Sequence, residues 1–103
     1  MKGIIMKTLE ECCSEFMNSQ EPSYECIAAL VAYAYSGQDV VIGLAQVGVK
    51  RDFLKQPGAK ILLPCHKQGR GLNITKAFVL YAEAAKRGVS VWICGDARAE
   101  KLH

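Results

Sequence analysis

Between Ala59 and Cys94 the chain changes its apolar periodicity twice. AKILLPC (59–65) is a short apolar run closed by a proline, Asn73 to Arg87 carries apolar residues at helical spacing, and VSVWIC (89–94) is a second short, β-branched run. Short apolar runs bounded by turn residues read as buried strands, and a period near ~3.6 reads as a helix. Strand, helix and strand with short joints form a βαβ unit, which demands parallel strands and a crossover of the usual right hand. The helix has its own punctuation. Asn73 is an N-cap, Ile74, Ala77, Phe78, Tyr81, Ala82 and Ala85 share a face, Glu83 precedes Arg87 by one turn, and Gly88 ends it.

Two helices are expected upstream. Thr8-Leu9-Glu10-Glu11 has the form of a capping box, and Leu9, Cys12, Cys13, Phe16 and Met17 recur as one stripe behind it. Asn18 to Pro22 breaks the pattern. A second helix is expected from about Pro22 to Tyr35, with Tyr24, Ile27, Ala28, Val31, Ala34 and Tyr35 inward and Gly37 after its end. VVIGLAQV (40–47) reads as a buried strand interrupted by Gly43, Lys50 to Gln56 as a helical turn, and Pro57-Gly58 as a turn. Met1 to Met6, MKGIIM, reads as an edge strand or a loose tail. The expected fold is therefore α/β: two N-terminal helices packed on a small, mostly parallel sheet of three or four strands containing a C-terminal βαβ unit.

At 103 residues, half of them apolar, the chain is expected to make one domain around one core. Its apolar stretches are shorter than the roughly 18 residues of a membrane span. The opening segment lacks the apolar core of a secretory signal. Five cysteines, an odd number without a C-x-x-C pair, fit reduced thiols in the cytoplasm. Cys12, Cys13 and Cys26 fall on helical apolar stripes and read as small core hydrophobes. Charge is unevenly distributed. Residues 1–49 hold two lysines against six acids, a net −4, while residues 50–103 hold eleven cations against four acids, a net +7. Such a split suits an anionic ligand, or an acidic face that meets a basic one in a dimer.

Ligands of open parallel sheets sit at the carboxyl ends of the strands. Cys65 to Leu72 follows one strand, and Cys94 to Arg98 follows the next. If those strands are neighbours, Cys65, His66, Lys67, Arg70, Cys94, Asp96 and Arg98 share one sheet edge. Gly69 and Gly71 permit a backbone nest, Lys67 and Arg70 supply charge, and Asn73 opens a helix whose amides favour an anion. The expectation is a binding site for a phosphate-bearing or other anionic ligand, a nucleotide or nucleic acid, formed by Lys67, Gly69, Arg70, Gly71, Asn73, Asp96 and Arg98. The loop is neither a Walker loop nor a GxGxxG turn. Phe78, Tyr81 and Trp92 read as core residues more than as base-stacking platforms.

A second reading makes Cys65 a nucleophile, since a thiol at a helix N-terminus beside His66, Lys67 and Arg70 has its pKa lowered. The six residues Cys65-His-Lys-Gln-Gly-Arg70 resemble the active-site loop of rhodanese-like domains, as do the following helix, Gly88-Val89-Ser90-Val91 and Gly95. That resemblance implies sulfur transfer through a persulfide on Cys65, cradled by loop amides. Pro57-Gly58-Ala59 departs from it, standing directly before the cysteine strand, where the family has a further strand and helix. A C-x5-R phosphatase loop is excluded, because four residues separate Cys65 from Arg70. No metal or cofactor is expected, as adjacent Cys65 and His66 rarely aim at one ion. A third reading is a protein-interaction module using the acidic helices or the basic half. A homodimer is expected from the edges that so small a sheet leaves open.

Overall fold

The computed structural model describes residues 7–64 and 72–102. In chain order the elements are α1 (Leu9–Asn18), α2 (Tyr24–Tyr35), β1 (Val40–Val41), α3 (Val47–Leu54), β2 (Lys60–Leu63), α4 (Ile74–Lys86), β3 (Ser90–Cys94) and β4 (Ala99–Leu102). The strands lie in the order β1-β2-β3-β4. The first three are parallel, with Val40 opposite Ile61 and Ile61 opposite Val91, and β4 returns antiparallel with Ala99 opposite Cys94. This is the expected α/β architecture, with β2, α4 and β3 as the βαβ unit. The segment Met1 to Met6, read as an edge strand or tail, lies outside the described residues.

The local signals at the helix ends act as the sequence suggests. Thr8 Oγ1 accepts from the Glu11 amide at 3.1 Å while Glu11 accepts from the Thr8 amide at 2.8 Å, the reciprocal bonds of a capping box. Helix α2 starts slightly later than expected. Ser23 caps it by accepting from the Cys26 amide, which leaves Pro22 just outside the helix. At its other end Gly37 takes φ of +102°, and the amides of Gly37 and Gln38 reach the carbonyls of Ala34 and Tyr33. That is a Schellman closure, and its left-handed residue is the reason for a glycine there.

The sheet separates two cores. On one face α1, α2 and α4 bury Phe16, Ile27, Leu30, Val31 and Leu80 against Ile61, Leu63 and Val91. On the other, α3 alone sets Val49 and Phe53 against Leu62, Cys94 and Ala99. Alternate residues of β2 therefore serve different cores, as the period of two along a strand requires. Lys60 is also buried, with its ammonium 2.9 Å from Asp39 and 5.3 Å from the Phe53 ring centroid.

Several expectations are corrected. The run 40–47 is not one strand. Only Val40–Val41 pairs as a strand, because Gly43 turns the chain at φ +76° and α3 already begins at Val47. Of the helical turn expected at 50–56, residues 50–54 belong to that two-turn helix, and Lys55 and Gln56 follow its end. The inward faces of α2 and α4 are also rotated from those expected. Tyr24 and Tyr35 are exposed, while Cys26 and Leu30 join Ile27, Val31 and Ala34 inside. On α4 the buried residues are Lys76, Ala77, Leu80 and Ala84, and Ile74 and Phe78 stand 83% and 68% exposed. Phe78 is thus no core residue, whereas Tyr81 and Trp92 are partly buried. Glu83 forms its ion pair with Lys86, at 3.6 Å, and not with Arg87.

Lys76 explains part of that rotation. Its ammonium donates to the carbonyls of Phe16, of Met17 at 3.4 Å and of Ser19 at 2.9 Å, and lies 5.1 Å from the centre of the Phe16 ring. Helix α1 has no basic residue in its own last turn, so a lysine from α4 satisfies its terminal carbonyls. Burial holds the Lys76 pKa below its ordinary value.

The two crossovers differ in chirality. Strands β1, β2 and β3 step across the sheet in one direction, yet α3 and α4 pack on opposite faces. The two crossovers therefore have opposite hands, and only one of them obeys the right-handed rule.

Candidate functional site

Because β1, β2 and β3 are parallel, their carboxyl ends share one edge of the sheet. The strands ending before Cys65 and at Cys94 are immediate neighbours, with Leu63 opposite Ile93. The adjacency on which the expected site depended therefore holds. Of the candidate residues, Cys65, His66, Lys67, Gly69, Arg70 and Gly71 lie outside the described residues. The two anchors of that segment are described: Pro64 is buried at the end of β2, and Leu72 packs against the larger core. Asn73 then caps α4, its Oδ1 accepting from the Thr75 amide at 2.8 Å. One of the helix's orphan amides is thereby satisfied by the chain itself.

Asp96 and Arg98 are both exposed, in a turn much tighter than an open ligand loop. Cys94 and Ala99 are cross-strand partners, and the Gly95 amide donates to the Arg98 carbonyl at 2.9 Å, so residues 95–98 simply reverse the chain into β4. Gly95 has no room for a side chain. A Cβ there would lie 2.6 Å from Glu100 Oε2 and 2.9 Å from the Arg98 carbonyl oxygen. Asp52 of α3 steadies the turn from below by accepting from the Ala99 amide at 2.9 Å. Nothing in the local sequence marked Asp52 for this role, since the contact spans 47 residues.

Of the N-terminal cysteines, Cys12 and Cys26 are core thiols, and Cys13, also expected in the core, is half-buried at its edge. Burial pushes Cys26 up to about 12 and Cys13 up to about 11, and raises Cys12 as well. Cys26 Sγ donates to the Cys12 carbonyl at 3.3 Å. Thiols held protonated at neutral pH are poor nucleophiles.

A cleft that sequence reading missed runs along the outer edge of β1. It encloses about 590 Å³ between α1, β1 and α3, with Leu9, Cys13, Met17, Leu44 and Leu54 as apolar lining and Glu10, Asp39 and Lys50 among them. The Ile42 amide bonds inward to Leu62 at 2.9 Å, so the peptide groups of Val41 point the other way, into the cleft. Cys13 Sγ covers the Val41 carbonyl at 3.7 Å. Gly43, with Pro64 Cβ 3.2 Å from where its own Cβ would be, marks the point where cleft and carboxyl edge meet. Its position inside an apolar run was the one available signal.

Among the described residues no group of three or more His, Cys, Asp or Glu side chains is arranged to hold a metal ion, and no helix is long and apolar enough to cross a membrane. Comparison with known proteins supplies no family, the rhodanese-like one included: no protein-family model, no curated protein and no solved structure matches this chain.

Proposed function

We propose that the protein binds a phosphate-bearing or other anionic ligand, a nucleotide or a stretch of nucleic acid, at the β2–α4 junction, residues 65–73. Lys67 and Arg70 provide the charge, Gly69 and Gly71 allow close backbone approach, and Asn73 ends the site at the helix cap. Asp96 and Arg98 flank it from the neighbouring turn. One observation carries this reading: β2 and β3 are adjacent parallel strands, so the strand ends that lead into the basic segment and into the 95–98 turn lie side by side. The wider reading is a cytoplasmic protein that works as a homodimer.

The test is titration of a fluorescently labelled single-stranded oligonucleotide, and separately of a labelled nucleoside triphosphate, at several salt concentrations. Binding is expected to weaken with salt. On the oligonucleotide, Lys67→Ala and Arg70→Ala each flatten the slope of log K against log salt by roughly one. Cys65→Ser is expected to leave binding intact. If neither ligand binds, or if the two cation variants bind like the parent, the proposal fails. A sulfur-transfer activity lost in Cys65→Ser would move the function to the thiol.

A further inference from the structure

Helix α4 is apolar on two opposite sides. Its inner side, centred on Leu80, faces the larger core, while Phe78 lies about 160° round the helix from Leu80. On that outer side Ile74, Phe78, Ala82 and Ala85 follow one another at i+4 and i+3 spacing, and all four are exposed. The order of sizes matters. Both large residues fall in the N-terminal half of the helix and both small ones in the C-terminal half. A parallel partner would set Phe78 against Phe78 and alanine against alanine. An antiparallel copy sets Phe78 opposite Ala82 and Ile74 opposite Ala85, so each bulge meets a hollow, twice, about a two-fold axis.

The flank of the stripe carries charges in the same sense. Thr75, Val79 and Lys86 lie along one side of α4, and Glu21, which lines a small cavity together with Thr75 and Val79, sits beside its N-terminal end. Antiparallel pairing brings Glu21 of one copy towards Lys86 of the other, and again by symmetry. Both residues are exposed, and the Lys86 ammonium approaches Glu83 only to 3.6 Å. Size and charge complementarity select the same arrangement.

We infer that the chain forms a homodimer through an antiparallel α4–α4 contact centred on Phe78 and Ala82, and not through the sheet edges. This goes beyond the ligand reading and does not depend on it. One helix stripe on each side is a small interface, so association with a dissociation constant on the order of 10 µM is expected.

The test is sedimentation equilibrium of the full chain across a concentration series, with thermal melts to confirm that each variant stays folded. The parent is expected to pass from monomer to dimer. Phe78→Lys, at an exposed site, should weaken the dimer by about 100-fold while melting like the parent. Glu21→Lys and Lys86→Glu should each weaken it, and the double exchange should restore it. Four results would overturn the inference: a monomer at every concentration, a dimer indifferent to Phe78→Lys, a double variant no better than the singles, or a monomer whose Phe78 instead binds vesicles of anionic lipid.

Discussion

Two junctions leave the same edge of the sheet, and they are built differently. From β1 to α3 the chain passes through Gly43, Leu44, Ala45 and Gln46, without a charge, and Gln46 makes no capping bond with its side chain. From β2 to α4 it passes through ten residues with His66, Lys67 and Arg70, two glycines and a working Asn73 cap. The first sits over the smaller core and opens on an apolar cleft. The second is anchored on the larger core through Leu72, and it follows the strand next to the one that leads to Asp96 and Arg98. Both leave the carboxyl ends of parallel strands, so the difference lies in their length, their hand and their side chains. Charge and a capped helix end suit a ligand junction; an uncapped, uncharged turn suits a connection.

The largest effect expected from breaking this contrast is on the α3 side. Phe53 is fully buried in the smaller core, and Phe53→Ala should cost about 3–5 kcal/mol by urea denaturation. Hydrogen exchange in that variant should rise first in α3, while α4 keeps its protection. Equal loosening of both helices would show that the two cores are one unit. Gly95→Ala should cost about 1–3 kcal/mol, because the added methyl collides with the backbone oxygen of Arg98. Smaller again is the cap contrast. Asn73→Ala should lose about 1 kcal/mol, whereas Gln46→Ala, with no capping bond to lose, should stay within about 0.5 kcal/mol. Equal losses at the two caps would erase the distinction drawn here.

The smallest effect lies away from both junctions, where α1 meets α2. The Lys7 ammonium bonded to Glu15, with help from the Ser23 amide at 2.9 Å, holds the Glu15 carboxyl down at about 2. A carboxylate with a depressed folded-state pKa contributes stability above its unfolded value of about 4.3–4.5 and loses it as pH falls towards about 2. Glu15→Gln should therefore lower the melting temperature slightly at neutral pH, flatten its fall across that acidic window and meet the parent as pH approaches about 2. A parallel shift at all pH values would mean that Glu15 acts through packing instead.

What was legible in the sequence was local. The Thr8–Glu11 box, the Asn73 cap, Gly37 and the strand–helix–strand rhythm each rest on neighbours a few residues away, and each appears as expected. What failed depends on distant partners. Helix α4 has apolar residues on both sides, so periodicity alone could not choose the buried one. The choice is made by contacts such as Lys76 on the α1 carbonyls, across nearly sixty residues. Strand β4, AEKL, has no apolar alternation to announce it and is held by backbone pairing with β3 and by Asp52. The β1 cleft belongs to three separated elements, and Gly43 inside an apolar run is its one sequence signal.

Amide chemical-shift mapping of the isotopically labelled protein, titrated with a short single-stranded oligonucleotide, locates any anion site residue by residue. If the β2–α4 junction is the anion site, shifts concentrate at residues 65–75 and 94–99 and fade with added salt, while residues 43–49 stay silent. Shifts along α1, Val41 and Leu44 would place the site in the β1 cleft, and an unchanged spectrum would remove the anion site altogether.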